Sequence, residues 1–290
     1  MLGILLIRKP FGLTSHDVVN DIRRRFSTKR VGHAGTLDPM ATGLLVVAVG
    51  PATRFLQYLP LEPKEYVADI TFGRATTTYD AEGETASEGA IPGDLLGAIQ
   101  AHLPEFRGLI QQLPPMYSAI KVGGKPLYSY ARQGQEIRRD PRTVHISEFE
   151  ILESTSTTCK ARIICSGGTY IRSLAHDLGT ALGSGAYLSG LIRTRVGRFT
   201  IEQGFDLNEV RKEDLITLRD ALPPMPLIQL DESQTESLRE GRAVAVNAPD
   251  GAISVGLLDP NGNVFSVARV HGDMVQPECV IPAEVSHGAS

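Results

Sequence analysis

Cysteine is scarce in this chain: Cys159, Cys165 and Cys279 are the three among 290 residues. Their odd number and the lack of any C-x-x-C spacing argue against a disulfide framework and against a zinc site. A reducing cytoplasm suits them best. No apolar run is long enough to cross a bilayer. The opening residues Met1 to Arg8 lack a basic region followed by a long apolar segment, so they do not read as a signal peptide. No G-x-x-x-x-G-K-[ST] occurs to cradle nucleotide phosphates. The histidines His16, His33, His102, His145, His176, His271 and His287 show no paired metal spacing. Ser15-His16-Asp17 is a helix start, where adjacent residues cannot form a triad. Internal repeats and low-complexity tracts are missing as well.

What is present suits a folded protein of one large or two ordinary domains. Apolar residues make up 42% of the chain, enough for a sizeable core. The net charge of −4 weighs against nucleic-acid binding, but its distribution weighs the other way. Basic residues crowd at Arg23, Arg24, Arg25, Lys29 and Arg30, at Arg138, Arg139 and Arg142, and at Arg193, Arg195 and Arg198. A polyanion responds to local positive surface, so these clusters could form an RNA path, although taken by themselves they read first as solvated helix ends and loops.

Local signals place several elements. Ile4 to Ile7 reads as a strand. Thr14 caps a helix with Asp17 completing a capping box, Leu13 stapling against Val18, and Val18, Val19, Ile22 and Phe26 forming its apolar face. Gly32 to Gly43 reads as a glycine-punctuated loop feeding Leu44 to Val49, an apolar run expected to be buried on both faces. Tyr66, Ala68, Ile70 and Phe72 alternate as one face of a strand. Asp94 to His102 reads as a surface helix and Cys159 to Cys165 as a strand. Gly167-Gly168-Thr169 turns into a helix packed through Ile171, Leu174, Ala175, Leu178 and Leu182. Residues 114–142, rich in Gly, Pro, Tyr and basic side chains, show little regular periodicity beyond a short helix near Leu127 to Arg132, and such segments are usually functional or mobile. Pro223-Pro224-Met225-Pro226 marks a domain boundary. A small β-rich domain follows, with a turn at Asp259 to Asn263.

Asp38 is the first candidate for chemistry. An aspartate before proline is ordinarily a turn former. Here glycines on both sides allow close approach of a ligand, and the strand behind holds the loop. Arg172 sits in the first turn of its helix, where a cation opposes the dipole unless it faces an anion. Tyr66 and Tyr170 can stack on an unstacked nucleobase or serve as core residues. His33 reads as a loop histidine near Asp38. Asp80-Ala81-Glu82-Gly83-Glu84 is too short for a calcium loop and reads as a solvated turn. A glycoside hydrolase needs two carboxylates at a set separation, and only one is well placed.

Gly32-His33-Ala34-Gly35-Thr36-Leu37-Asp38-Pro39-Met40-Ala41-Thr42-Gly43 resembles the signature of the TruB family of tRNA pseudouridine synthases. Lys9-Pro10-Phe11-Gly12-Leu13-Thr14-Ser15, Lys64-Glu65-Tyr66, Asp80-Ala81-Glu82-Gly83, Gln112 to Lys121, Gly167 to Arg172 and Leu191 to Phe199 are similar to further family blocks, in family order. Ile192 departs from the pattern, where the family often carries a second basic residue. The resemblance implies an α+β fold, a mixed and mainly antiparallel sheet flanked by helices, over residues 1–224. It also implies an RNA-binding insertion at about 114–142 and a PUA-like β domain at 227–285. The implied reaction converts uridine to pseudouridine at position 55 of the tRNA T-loop, with no metal or organic cofactor, in a cytoplasmic monomer without an obligatory protein partner. By matching position, Asp38 is the catalytic aspartate, Tyr66 stacks on the target base and Arg172 is the aspartate's ion-pair partner. His33 helps hold the T-loop, and Lys9, Tyr170 and Leu191 line the pocket.

Overall fold

The computed structural model describes residues 1–283; positions 284 and 285 of the expected C-terminal domain, and His287, lie outside the described residues. The chain forms two compact units, each discontinuous in sequence. One comprises Met1–Pro39, Leu45–Pro60 and the chain from Glu202 onward, the other Met40–Leu44 and Leu61–Ile201.

In the first unit, strand β1 (Gly3–Lys9) leads into helix α1 (Ser15–Arg25). The local signals hold in detail. The Thr14 hydroxyl accepts from the Asp17 N–H at 3.0 Å, and the Asp17 carboxylate accepts from the Thr14 N–H at 2.8 Å. Val18, Val19, Ile22 and Phe26 pack into one cluster with Leu5 and Ile7 of β1, and Leu13 joins its edge. Strands β2 (Val31–Ala34) and β3 (Thr42–Val49) pair antiparallel, with His33 opposite Val47, and Val31, Leu45, Val47 and Val49 join the cluster, as do Leu207 and Val210. The expected long loop is therefore shorter. Residues 31–34 are extended because β3 offers them a ladder partner, and the true loop is 35–41. His33 stands on a strand, outside the Asp38 loop.

The second unit is a sheet with one helix of consequence for the site. Its elements are β4 (Lys64–Phe72), α2 (Leu95–His102), β5 (Gly108–Gln112), β6 (Arg142–Ser154), β7 (Thr158–Cys165), α3 (Ile171–Ala181) and β8 (Ala186–Val196). β4 is central, antiparallel to β7 on one side and β8 on the other; β6 and β5 extend the sheet beyond β7. The start of β3 runs parallel to β8, with Gly43 opposite Arg193. Only glycine fits there: its φ is +100°, and a Cβ would sit 2.7 Å from the Arg193 nitrogen. α3 packs on β8 and β4. It does so through Ile171, Leu174, Ala175 and Leu178, the apolar stripe that its sequence period dictates. Residues 114–142 hold one helical turn, Leu127–Ala131, and a two-residue hairpin, Lys121–Val122 with Lys125–Pro126.

Toward the C-terminus, β9 (Phe205–Asp206) runs parallel to β1. A separate five-stranded sheet then forms from β10 (Leu227–Gln229), β11 (Val244–Ala245), β12 (Ser254–Leu258), β13 (Val264–His271) and β14 (Met274–Val280), with α4 (Glu232–Arg239) beside it. Its order is β10-β12-β13-β14-β11. The Asp259 carboxylate closes the β12–β13 turn by accepting from the Asn261 and Asn263 N–H groups, both at 2.9 Å. A mixed, mainly antiparallel sheet with flanking helices and a smaller β-rich module agrees with the expected fold class. Among the described residues no helix is long and apolar enough to cross a membrane.

Candidate active site

Asp38, in the part of the 35–41 loop that belongs to the first unit, is half-buried directly after buried Leu37. Both sides of it are tied down. The Ser15 hydroxyl, at the first position of α1, accepts from the Leu37 N–H at 2.9 Å and donates to the Leu37 carbonyl at 3.2 Å. On the other side, the Pro39 carbonyl accepts from the Gly12 N–H at 2.9 Å and from the Lys9 ammonium at 3.2 Å. Lys9 also donates to the carbonyls of Leu13 at 2.6 Å and Pro10 at 3.0 Å, and it is 1% exposed. Its charge is thus directed at backbone oxygens of the β1–α1 turn and the Asp38 loop. A charged amine is rarely so deeply enclosed without several acceptors, and here it has them.

In the second unit, strand register gathers Tyr66, Leu191 and a residue that the sequence had grouped differently. Arg193 lies opposite Tyr66, and Leu191 opposite Ala68, so all four share one face of the sheet. Arg193 is 1% exposed, and its Nε donates to the Leu44 carbonyl at 2.8 Å. It is therefore neither a solvated arginine nor part of an exposed basic path. Period-two alternation from Leu191 carried the signal: an inward Leu191 makes Arg193 inward and Ile192 outward, and Ile192 is exposed. Lys64 precedes Tyr66 on the same strand face. Burial, together with the nearby Arg193 charge, pushes the Lys64 ammonium below its usual pKa.

The start of α3 forms a second knot. The Gln112 side chain, at the end of β5, reads the Tyr170 backbone twice: it accepts from the N–H at 2.7 Å and donates to the carbonyl at 3.0 Å. The Ser173 hydroxyl donates to the Leu113 carbonyl at 2.9 Å. Between them, Arg172 donates to the carbonyls of Thr78 at 3.1 Å and Tyr117 at 2.8 Å, and its guanidinium lies 3.4 Å from the Asp80 carboxylate. The anion needed to tolerate Arg172 near a helix N-terminus is thus on hand. The turn at Asp80 forms as expected, but Asp80 itself is not solvated. It is buried, and its carboxylate also accepts from the Thr78 hydroxyl and the Glu82 N–H. The neighbouring Tyr79 ring stacks on His176 at 3.8 Å and 13°, and burial lowers the imidazole pKa, favouring its neutral form.

The expected site residues therefore fall into distinct settings. Lys9 is joined to the Asp38 loop, and His33 stands on β2, all in the first unit. Tyr66 and Leu191 share a sheet face, and Tyr170 and Arg172 open α3, all in the second. Gln112, Asp80, Ser15 and Arg193 are the supporting residues, present in the motifs read from the sequence but given no role at the site there. Among the described residues no group of three or more His, Cys, Asp and Glu side chains is arranged to hold a metal ion.

Comparison with known proteins converges on one activity. Residues 23–171 match the TruB family pseudouridylate synthase N-terminal domain, and residues 172–227 match the tRNA pseudouridylate synthase B C-terminal domain. The tRNA pseudouridine synthase B of Thermobifida fusca is 42% identical over 290 residues, covering 96% of this chain and 98% of that protein. Its counterpart from Mycobacterium tuberculosis is 39% identical over 294 residues, covering 98% and 97%. Among solved structures, the crystal structure of a Cbf5-Nop10-Gar1 complex aligns with a TM-score of 0.67 at 28% identity, over 97% of this chain and 86% of that one. The structure of an H/ACA RNP bound to a substrate RNA containing 2'-deoxyuridine aligns at 0.64 and 28%, over 97% and 85%. Fold and sequence together define an isomerase of the pseudouridylate synthase class. The chain belongs to the TruB family, the tRNA pseudouridine synthases, which isomerise uridine in tRNA.

Proposed function

We propose that this enzyme converts uridine to pseudouridine at position 55 of the tRNA T-loop, with Asp38 as its catalytic carboxylate. The observation that supports the reading most is the immobilised backbone on both sides of Asp38. A carboxylate that must meet one atom of one sugar needs its geometry set before the substrate arrives. The reaction breaks a C–N glycosidic bond, turns the base and forms a C–C bond, after which C5 loses its proton. An ionised Asp38 can serve by attacking the anomeric carbon, by stabilising positive charge there, or by removing a ribose proton.

The uridine must leave its stack first, at a cost of a few kcal/mol that aromatic and apolar walls offset. Lys9, His33, Tyr66, Tyr170, Arg172 and Leu191 are the residues assigned to binding the substrate. Tyr66 stacks on the base, and Lys9 contributes through the shape of the loop it holds. Residues 1–224 act as the catalytic domain, with an RNA-binding insertion at about 114–142, and 227–285 as a PUA-like RNA-binding domain. The enzyme works as a cytoplasmic monomer, without cofactor or obligatory protein partner.

The test is to incubate the purified chain alone with an unmodified tRNA transcript and map pseudouridine by mass spectrometry. The expected product is a single pseudouridine at position 55. The solved Cbf5 structure contains Nop10 and Gar1, which favours a second reading, action inside a multi-protein assembly. Product only after partner proteins are added would support that reading and reject the first.

A further inference from the structure

Ser15 has no duty in its own helix. The N-cap of α1 is Thr14, which with Asp17 completes the capping box, so the helix start is satisfied without the Ser15 hydroxyl. That hydroxyl is 1% exposed and makes both of its hydrogen bonds to one residue 22 positions away, accepting from the Leu37 N–H and donating to the Leu37 carbonyl. A side chain bonded to both backbone groups of one residue acts as a one-residue ladder partner. It fixes the peptide planes on both sides of Leu37.

The second of these planes is the Leu37–Asp38 peptide. Its orientation sets φ of Asp38 and hence the direction of the Asp38 Cα–Cβ bond. Pro39 confines Asp38 further, because a residue before proline is pushed to extended conformations. The far side is held through the Pro39 carbonyl by Gly12 and Lys9. Without the Ser15 hydroxyl, the Leu37 N–H and carbonyl lose this partner and the peptide is released to swing.

We infer that Ser15 is a positioning residue for the isomerisation, acting by locking the Leu37–Asp38 peptide so that the Asp38 carboxylate is aimed before tRNA binds. The inference rests on the assignment of Asp38 as the catalytic carboxylate. Small misplacements of a catalytic group cost up to about a hundredfold in rate, so the effect falls on the chemical step and spares tRNA affinity.

The experiment measures single-turnover rate, tRNA Kd and Tm for the wild type, Ser15→Ala, Ser15→Thr, Asp17→Ala and Asp38→Asn. Ser15→Ala is expected to lower the single-turnover rate about ten- to a hundredfold, with Kd within about twofold. Ser15→Thr, which keeps the hydroxyl, is expected to recover most of the rate. Asp17→Ala breaks the α1 capping box without touching Leu37, so it is expected to lower Tm while the rate stays near wild type. A folded Ser15→Ala enzyme with wild-type single-turnover rate overturns the inference. So does a rate loss shared equally by Asp17→Ala at matched Tm, which would mark a stability effect. Should Ser15→Thr fold poorly, Ser15→Ala measured well below its Tm still decides the matter. Wild-type turnover by Asp38→Asn would instead remove the underlying assignment, an outcome separate from any result at Ser15.

Discussion

Arg172 and Asp80, 92 positions apart in sequence, form an ion pair at 3.4 Å with side chains only 5% and 6% exposed. The pair joins the first turn of α3 to the 76–83 turn, and the Tyr117 carbonyl brings in a third segment. Removing one partner of a buried pair leaves an uncompensated charge, which costs about 3–5 kcal/mol. Asp80→Ala is therefore expected to lose about that much stability in urea denaturation, and Asp80→Asn somewhat less, because an amide oxygen still accepts hydrogen bonds. A loss below about 0.5 kcal/mol for Asp80→Ala, the range of ordinary surface substitutions, would show that the pair does not brace this part of the fold.

Which features were legible in the sequence follows from the range of the interactions behind them. The start and buried face of α1 were readable to the residue because Thr14, Asp17 and the 3.6-residue apolar stripe are local. β4 was readable because alternation from Tyr66 to Phe72 needs only one buried face. Asp80 was read as solvated because its cation lies far along the chain, and sequence alone does not show that α3 delivers Arg172 to it. His33 was read as a loop residue because glycines suggest turns, whereas the partner that makes β2 a strand lies across the loop in β3. Arg193 combined both difficulties. Its neighbours Arg195 and Arg198 suggested a basic surface, while its burial depends on the register of β8 against β4 and the start of β3.

Gly43 is a point of close approach in the β3–β8 pairing. A methyl group there would meet the backbone of Arg193, and the residue holds φ +100°. Backbone atoms cannot yield as a flexible side chain does, and left-handed φ adds strain of order 1 kcal/mol or more. With overpacking of about 1–3 kcal/mol added to the strain, Gly43→Ala is expected to lose about 3 kcal/mol and to lower Tm by about 6–12 °C, since about 1 kcal/mol moves Tm by roughly 2–4 °C in a chain of this size class. Thermal denaturation followed by circular dichroism checks this. An unchanged Tm would mean that β3 and β8 do not approach so closely.

Asp177, in the middle of α3, has its carboxyl pushed up from the ordinary 3.8 to about 6 by burial. The folded protein therefore holds this proton more tightly than the unfolded chain. Between those two values stability falls as pH rises, and above the folded pKa the penalty is constant. The full shift corresponds to about 3 kcal/mol, which partial solvent exposure reduces to about 1 kcal/mol. Asp177→Asn is accordingly expected to raise stability at pH 8 by about 1 kcal/mol and to leave it unchanged below pH 3.8, where both states are protonated. Urea melts at both pH values measure the difference. Equal effects at the two would contradict the assigned cause.

The proposed isomerisation depends on the Asp38 carboxylate, carried on backbone anchored at Leu37 and Pro39, doing chemistry that an amide of the same shape cannot. The direct measurement is single-turnover pseudouridine formation by Asp38→Asn on an unmodified tRNA transcript, with tRNA affinity determined in parallel. The predicted result is no detectable product at a Kd close to that of the wild type. Product at the wild-type rate would contradict the account.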